Sequence, residues 1–477
     1  MNVASWRAVV LILALTLASP GIVRAQYPGR APAADPRVSQ ASPQSFSGSV
    51  PAGAATAEPL PLSLKEAIDR GLKQNLGTML SASAVTGARG QKWQDLANLL
   101  PNAQFQLAET ASQVNVAATF GFRFPGFPTV LGPFGFFTTG ATLNQTFFNW
   151  SQINQAKSGN ASLQAAKYSY ADARDMVVLA VGNAYLLCVA GRSRVDSAVA
   201  QQATAQALYD LAHDQLKAGL APAIDELRAQ VELEARRQQT IVARNDYAKE
   251  ILRLGRAIGL PPGQQVTLTD NALYEPMADW TVEQALDRAY ATRPDYKAAQ
   301  ASLRAAELAR KAASAQYLPS VGFTGDYGIA GITPGSTHGV FDASVHLNVP
   351  IFEGNRIHGD VLVAQAALEQ SRSLYENLRG QIDYDVRAAF LDLQATGERV
   401  SVARHNLDLA NQTLEQSQDR FRAGVTNNVE VVQAQDAVAA ANESLITSLY
   451  SFDLAKISLA RAVGNAEVGV AEYLRGK

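Results

Sequence analysis

The sequence predicts a mainly α-helical protein with a β-sheet part that closes into a membrane β-barrel only when several chains combine. Three observations support this fold class. The chain contains two tandem copies of one structural unit, each copy holds two short strands of alternating polarity, and each copy continues into helices of unusual length. Charge is nearly balanced, with a formal net charge of −2 over 477 residues, so no strong field is present to hold nucleic acid.

The N-terminal segment has the parts of a secretory signal peptide. Residues 1–7 carry one cation, residues 8–18 form an apolar run, and residues 23–25 have the small-x-small form of a cleavage site. We therefore expect a cleaved signal peptide over residues 1–25. The apolar run is too short to span a membrane, which takes roughly 18 to 20 apolar residues as a helix. The residue directly after the cleavage site is Gln26 and not a cysteine, so no lipid anchor is expected.

Residues 26–60 predict a flexible leader, because their Pro-, Ala-, Ser- and Gly-rich composition cannot bury enough apolar surface to fold alone. Beyond this leader the chain is a tandem duplication, with a first repeat at 61–270 and a second repeat at 271–477. Four segments recur in the same order, at offsets of 218 (282 − 64), 204 (350 − 146) or 205 (459 − 254) residues. The pairs are 64–70 with 282–288, 99–105 with 317–323, 146–148 with 350–352, and 254–259 with 459–464.

The offset falls by 14 (218 − 204) between the second and third pair, so the first repeat contains about fourteen additional residues there. We assign them to a loop at 121–137, since a surface loop absorbs an insertion at small entropic cost. The phenylalanines of this stretch either anchor the protein at the membrane interface or receive an external ligand. They are Phe122, Phe124, Phe127, Phe134, Phe136 and Phe137.

Each repeat begins with an amphipathic helical segment. Ser63 and Glu66 in the first repeat, and Thr281 and Gln284 in the second, have the spacing of a capping box, in which each residue satisfies a backbone N–H of the other. A proline ends each segment, because it cannot continue the hydrogen-bond ladder of a helix. The predicted segments are about 63–100 and 281–318.

Two strands of alternating polarity follow in each repeat. In the last strand of the second repeat, Phe341, Val345 and Leu347 fall on one face, whereas Asp342 and His346 fall on the other. This alternation is typical of a strand with one apolar and one wet side. The strand regions are about 102–149 and 320–352, and the transitions between helix and strand are marked by Pro101, Pro319 and Pro350.

Four strands per chain are too few to close a barrel, which takes about eight. An open sheet with one apolar face aggregates in water, and in lipid every strand edge has to be paired. We therefore expect several chains to pool their strands into one barrel.

Each repeat then contains one very long helix, a glycine-containing break and a second helix. About 64 residues of helix make a rod of roughly 95 Å, which indicates a coiled coil or the wall of a tube. Large and small residues alternate in heptads, a pattern that lets long helices approach closely and supercoil. The pattern is clearest at Val400, Leu407, Leu414 and Phe421, with Ala403, Ala410, Ser417 and Gly424 three residues later. The helical regions are about 153–259 and 357–463.

The break has nearly the same sequence in both repeats. Lys217-Ala218-Gly219 recurs as Arg422-Ala423-Gly424, 205 positions later (422 − 217). Glycine tolerates the positive φ that is common after a helix C-terminus, and a cation in the last helical turn complements the helix dipole. Each break therefore predicts a reversal of the chain between two long helices.

Taken in order, these motifs resemble the outer membrane efflux protein family, the TolC-like channels. The most specific pieces are the repeated breaks, the step Tyr317-Leu318-Pro319-Ser320 from helix to strand, and residues 348–356 from strand to helix. The resemblance spans about 62–464. It implies a homotrimer with a β-barrel in the outer membrane, a helical tunnel extending into the periplasm and an equatorial belt. It also implies export of drugs, toxic ions or proteins, by docking with a periplasmic adaptor protein and an inner-membrane transporter.

The resemblance further implies roles for residues at the breaks. Asp225 and Glu430, each in the first turn of the helix after a break, match the acidic residues of the family's periplasmic entrance. In a trimer they imply rings of carboxylates that attract cations and repel anions. Acidic residues near a helix N-terminus also stabilise a helix without any further role. The residues expected to form adaptor-docking turns are Lys217, Gly219, Arg422 and Gly424.

The chain departs from the family pattern at three positions near the breaks. Gln433 stands where family members often carry a second acidic residue one turn later. Thr426 and Phe421 stand where some members carry an arginine or tyrosine latch.

No residue pattern indicates an enzyme, a cofactor or a metal site. The five histidines are scattered, and the sequence contains no HExxH pair, CxxC pair, phosphate-binding glycine loop or Gly-x-Ser-x-Gly elbow. Cys188 lies in an apolar helical stretch and is predicted to be a buried core residue. The expected partners are further copies of the chain, the adaptor, the transporter and outer-membrane lipid.

Two other functions stay open from the sequence alone. A soluble periplasmic coiled-coil adaptor or scaffold explains the signal peptide and the heptads, but it leaves the duplicated strands with an apolar face unexplained. A passive porin explains the strands, but it does not require helices of roughly 95 Å. The exported cargo is expected to be selected by the inner-membrane partner, so that this chain contributes only a preference for charge.

Overall fold

The computed structural model covers most of the chain beyond the predicted signal peptide. The described residues are 43–116, 118, 121–122, 126, 128–220, 222–270, 281–464, 466–467 and 469. The signal peptide and the first part of the predicted leader lie outside these residues. So do Phe124 and Phe127 of the phenylalanine-rich stretch.

The described elements follow the same order in both repeats. In the first repeat they are β1 (Leu60–Leu62), α1 (Leu64–Gln74), α2 (Leu76–Ala97), β2 (Asn102–Asn115), β3 (Val130–Phe148), α3 (Trp150–Lys217) and α4 (Ala223–Ile258). In the second repeat, which by this order begins with β4 before the predicted boundary at residue 270, they are β4 (Val266–Leu268), α5 (Val282–Thr292), α6 (Pro294–Ser314), β5 (Ser320–Gly331), β6 (His338–Asn348), α7 (Arg356–Arg422) and α8 (Asn428–Ala462).

Two short strands that the sequence did not predict connect the repeats. β1 and β4 pair in parallel, with Leu60 opposite Val266 and Leu62 opposite Leu268. Each strand has three residues, which is too few for a period of two to stand out from the neighbouring sequence. The first elements of the two repeats are therefore joined to each other.

The four longer strands form one antiparallel sheet in the order β2-β3-β5-β6. Its register places side chains of like polarity side by side, with Tyr327 opposite Phe341 and Asp326 opposite Asp342. The predicted division into an apolar and a polar face is confirmed. Among the described residues, β2 and β6 each pair with one strand only, so the sheet keeps two open edges and does not close within one chain.

The additional residues of the first repeat lengthen its hairpin. β2 and β3 contain 14 and 19 residues, whereas β5 and β6 contain 12 and 11. The prediction of a loop over all of 121–137 is wrong, because β3 begins at Val130 and Phe136 lies opposite Thr110. The Gly- and Pro-rich composition of this stretch favours a loop locally, but pairing with β2 overrides that preference.

The opening helical segment of each repeat is two helices, not one as predicted. The first break is at Asn75, whose Oδ1 accepts from the N–H of Gly77 at 2.9 Å and whose Nδ2 donates to the carbonyl oxygen of Phe46 at 2.7 Å. The second break is at Pro294, because a proline has no N–H and the residue before it avoids the helical region. Both predicted capping boxes are present.

The predicted long helices are confirmed as α3 and α7, with 68 and 67 residues. Each pairs with the helix that follows its break. The heptad pattern of the second repeat forms the buried seam between α7 and α8, as shown by Val400, Ala403, Val431 and Ala434, all at most 4% exposed.

The middle of α3 lies in a buried core. Val177, Val181, Tyr185 and Cys188 are at most 1% exposed, which confirms the prediction for Cys188. Burial, with a smaller effect of Glu250, raises the pKa of the Cys188 thiol to about 12, so the thiol stays protonated. One window of α3 is long and apolar enough to cross a membrane, with a mean hydropathy of 1.5, but half of it is buried in the fold.

The first part of residues 43–60, a segment that the sequence assigns to the leader, packs against the helices, whereas residues 51–59 are exposed. Phe46 is buried, Ser49 forms a β-bridge with Asn75, and the N–H of Val50 donates to the carbonyl oxygen of Gln74 at 3.0 Å. The packed part of the chain therefore begins before residue 60.

Candidate functional site

Both breaks form the same chain reversal. In the first reversal, Gly219 has a φ of +74°. The N–H of Gly219 donates to the carbonyl oxygen of Leu216 at 2.9 Å, and the N–H of Leu220 donates to the carbonyl oxygen of Gln215 at 2.9 Å. These two bonds define a Schellman motif. The second reversal has the equivalent bonds at 3.0 Å, with Gly424 at a φ of +70°. The predicted docking residues at these turns are Lys217, Gly219, Arg422 and Gly424.

Apolar side chains project from both turns. Leu220 and Val425, which directly follow the two glycines, are 80% and 70% exposed. Lys217 is exposed beside the first turn, and Arg422 at the second forms an ion pair with Asp419 at 3.1 Å. Leu220 and Val425 were not predicted from the sequence, although their equivalent positions directly after a glycine are a signal for them.

The first turn holds Asp225 in a largely buried position. Its Oδ1 lies 3.6 Å from Nη1 of Arg228. The adjacent Glu226 contacts the other helix of the same hairpin, since its Oε1 lies 2.6 Å from Nδ1 of His213, and the His213 ring stacks on Tyr209. Asp225 therefore contacts a residue of its own helix, α4, whereas Glu226 contacts a residue of α3.

The second turn holds Glu430 in a half-buried position. Its Oε2 accepts a hydrogen bond from Oγ1 of Thr426 at 2.6 Å, and its Oε1 lies 3.6 Å from Nε of Arg420. Thr426 therefore makes a polar contact with the acidic residue, at a position where the family resemblance predicts a latch residue in some members. Phe421 instead packs in an apolar cluster with Val431.

Two side chains join the first hairpin to the second. Asn428 is fully buried and donates from Nδ2 to the backbone carbonyl oxygen of Asp225 at 2.7 Å. Arg236 is also buried and forms ion pairs with Glu232 of its own helix at 2.5 Å and with Asp436 of α8. The structure therefore brings the helices of the two acidic positions together. Neither link was predicted from the sequence, although an arginine on the buried seam of α4 is a signal for the second.

The three transition prolines lie at the opposite end of the long helices. Pro101 and Pro319 directly precede β2 and β5, and Pro350 follows the end of β6 by two positions. At this end His346 lies on the polar face of β6, opposite Gly322. Within the part of the chain that the structure describes, no group of three or more His, Cys, Asp or Glu residues is placed to hold a metal ion.

An open, two-faced sheet that continues into helical hairpins of roughly 100 Å is the architecture of one subunit of an outer-membrane channel. The sequence profile of the outer membrane efflux protein family matches residues 132–260 and 285–465. This chain belongs to that family, as its motifs predicted. Members of the family are channel proteins, not enzymes.

Similar proteins agree with this assignment. Protein CyaE of Bordetella pertussis is 26% identical over 319 residues, which cover 66% of this chain and 67% of the relative. Outer membrane protein OprJ of Pseudomonas aeruginosa is 24% identical, and the match covers 50% of this chain and about half (49%) of the relative. The solved Campylobacter jejuni CmeC outer membrane channel has a TM-score of 0.74 at 16% identity, with 87% of this chain and 89% of that chain covered. The predicted fold class is confirmed.

Proposed function

We propose that three copies of this chain form an export channel in the outer membrane. The channel continues into the periplasm as a helical tunnel and receives its cargo from an inner-membrane transporter through a periplasmic adaptor protein. Family membership supports this proposal for the class of protein. The cargo is a drug, a toxic ion or a secreted protein, and the inner-membrane transporter selects it.

The open sheet is the observation that carries the proposal. Phe341, Tyr327 and Phe105 on its apolar face are 80%, 76% and 73% exposed in the isolated chain. Burying each such side chain in lipid is favourable by about 2 kcal/mol. Both sheet edges lack a strand partner among the described residues, and edges of neighbouring copies can supply one. A soluble scaffold would leave both the apolar face and the edges in water.

The polar face of the sheet fits a water-filled lumen. Thr142 donates a hydrogen bond to Asp326, and Oγ1 of Thr324 donates to Oδ1 of Asn144 at 3.1 Å. Asp342 lies beside Asp326 on the neighbouring strand. A barrel of three such sheets has a polar, acidic interior, which favours cations over anions.

Asp225 and Glu430 are the proposed gate residues at the periplasmic entrance. Each lies in the first turn of a helix that begins at the tunnel end of the protein, and Asn428 joins the two helices. Three copies would bring six (3 × 2) carboxylates to the opening. A movement that separates the two hairpins and opens the tunnel has to break the hydrogen bond of Asn428.

The two turns are the proposed docking site for the adaptor. The exposed Leu220 and Val425 offer apolar contacts at the tips, and Lys217 and Arg422 place cations beside them. This pattern suits a partner that has apolar pockets with acidic rims.

Electrophoresis of the purified full-length protein tests the proposal. We expect a protein of the membrane fraction that migrates as a trimer in mild detergent and as a monomer after heating. A soluble monomer would contradict the channel. An intact trimer whose loss leaves sensitivity to dyes, detergents and metals and the secretion of proteins unchanged would indicate a passive porin.

A further inference from the structure

A basic groove lies where the helices meet the sheet. It consists of two adjoining depressions of about 720 Å³ and about 470 Å³, which share Lys157, Arg304 and Leu308. Three helix ends line it: the end of α2, the start of α3 and the end of α6. None of the residues assigned to the entrance, the docking turns or the barrel lumen belongs to this groove.

The groove lies close to the membrane boundary, a placement that rests on the proposed barrel. α3 begins at Trp150, two residues after the end of β3, and α6 ends at Ser314, six residues before β5. At 1.5 Å per residue, Lys157 lies roughly 10 Å from the start of α3, and Lys311 lies roughly 5 Å from the end of α6. The headgroup layer extends roughly 5 to 8 Å beyond the hydrocarbon, so long cationic side chains can reach the lipid phosphates.

The lining of the groove is cationic and contains no Asp or Glu. Among the described residues, Arg304 has an ion-pair partner in Glu307, at 3.0 Å, whereas the other four cations form no ion pair. Their charge is therefore free to attract an anion. The five cationic residues of the lining are Lys92, Lys157, Arg304, Arg310 and Lys311.

The remaining lining suits a lipid better than a free ion. Leu99, Ile153 and Leu318 place apolar surface beside the cations, and Nζ of Lys157 lies 5.7 Å from the ring centroid of Trp150. Tryptophan at this depth is typical of the aromatic belts of membrane proteins.

We propose that this groove binds the headgroup of an anionic phospholipid from the inner leaflet of the outer membrane. The cations hold the phosphodiester, since basic pockets beside a membrane surface recognise anionic headgroups. The apolar residues contact the glycerol and the first carbons of the acyl chains. The bound lipid connects α2, α3 and α6 of one chain directly below its barrel strands. By holding these strands in place it stabilises the assembled channel, a consequence that rests on the proposed trimer.

Lipid retention by the full-length protein in detergent tests this proposal. The probes are phosphatidylglycerol, phosphatidylcholine and inorganic phosphate, with native mass spectrometry for retention and gel electrophoresis for the temperature at which the trimer dissociates. We expect phosphatidylglycerol to be retained and to raise the dissociation temperature, and the other two to do neither. The double substitution K157Q/K311Q removes two cations and is expected to reduce retention by roughly thirtyfold, whereas K65Q/K73Q, two exposed lysines of α1, is the matched control.

Each outcome of this experiment decides one question. Equal retention of the two lipids, or equal loss in both double variants, would overturn the lipid site while the trimer and its conductance remain intact. A rise of the dissociation temperature produced by inorganic phosphate alone would also overturn the lipid site, and it would indicate a site for a free anion. The absence of a heat-sensitive trimer in every sample would instead reject the proposed channel.

Discussion

The two hairpin turns have the same backbone and different polar contacts. Gly219 and Gly424 close them with equivalent hydrogen bonds. The acidic residue of the first turn, Asp225, is 8% exposed and lies beside Arg228 of its own helix. Its counterpart Glu430, 205 positions later (430 − 225), is half-buried and contacts the other helix of its hairpin.

The difference shows that a duplicated backbone does not preserve its side-chain contacts. The first hairpin contributes the buried Arg236, where the second has Ala441. The second hairpin contributes the buried Asn428, where the first has Ala223. Each hairpin therefore supplies one link near the turns that the other lacks. Further along the helices the hairpins are also joined by ion pairs of Arg194 with Glu443 and of Arg461 with Asp172.

The substitution R236A, which makes the first hairpin like the second, has the largest expected effect. It leaves the carboxylate of Glu232 largely buried without its cation and removes the link to Asp436, so we expect the free energy of unfolding to fall by about 3 kcal/mol. Denaturant unfolding of the purified protein in detergent measures this change. R237A, at an exposed neighbouring position, is the control and is expected to cost less than about 1 kcal/mol. Equal losses would mean that Arg236 is not a buried link.

The substitution N428A tests the link from the second hairpin. It removes the hydrogen bond to the backbone of Asp225, and we expect a loss of about 1.5 kcal/mol in the same unfolding measurement. Single-channel conductance in planar bilayers is expected to rise, because the hairpins separate more easily. N411A, at an exposed site of α7, should change neither quantity. An unchanged conductance in N428A would argue against this bond as a restraint on opening.

Replacing both acidic residues, in D225A/E430A, tests their role as a gate. A carboxylate contributes about 1 kcal/mol to a cation 4 Å away in water, equivalent to roughly fivefold in occupancy. We expect cation selectivity to fall by about this factor or conductance to rise, with E430A alone more effective than D225A because Glu430 is the more exposed residue. The exposed Asp69 of α1 supplies the control, D69A. Single-channel current traces identical to those of the unmodified channel would contradict the assignment of both residues to the gate.

The smallest effect is expected for R420Q. Arg420 is exposed and Glu430 is half-buried, and ion pairs in contact with solvent contribute less than about 1 kcal/mol. A double-mutant cycle with E430Q measures their coupling, which should decrease as salt screens the two charges. A coupling that persists at high salt would place this pair in a more buried site than the structure indicates.

Sequence patterns predicted the elements that depend on local chemistry. The capping boxes, the heptads of α7 and α8 and the alternation of β5 and β6 agree with the structure. The break at Pro294 was predictable from the same rules and was missed. The break at Asn75 was not predictable from these rules. Asn75 stabilises its turn by a hydrogen bond to the carbonyl oxygen of Phe46, 29 positions earlier, and no local pattern contains that contact. The extension of β3 depends in the same way on its pairing with β2.

By itself, the sequence determined the duplication, the lengths of the helices, the positions of the two reversals and the two faces of the sheet. These features follow from periodicity and from caps, which involve residues within one or two turns of each other. Only the tertiary structure decided that Asn428 meets the backbone of Asp225 and that Arg236 meets Asp436. Each residue turns a helix by roughly 100°, so the partner of a side chain depends on the rotation and register of a neighbouring helix, and packing of the whole hairpin sets both.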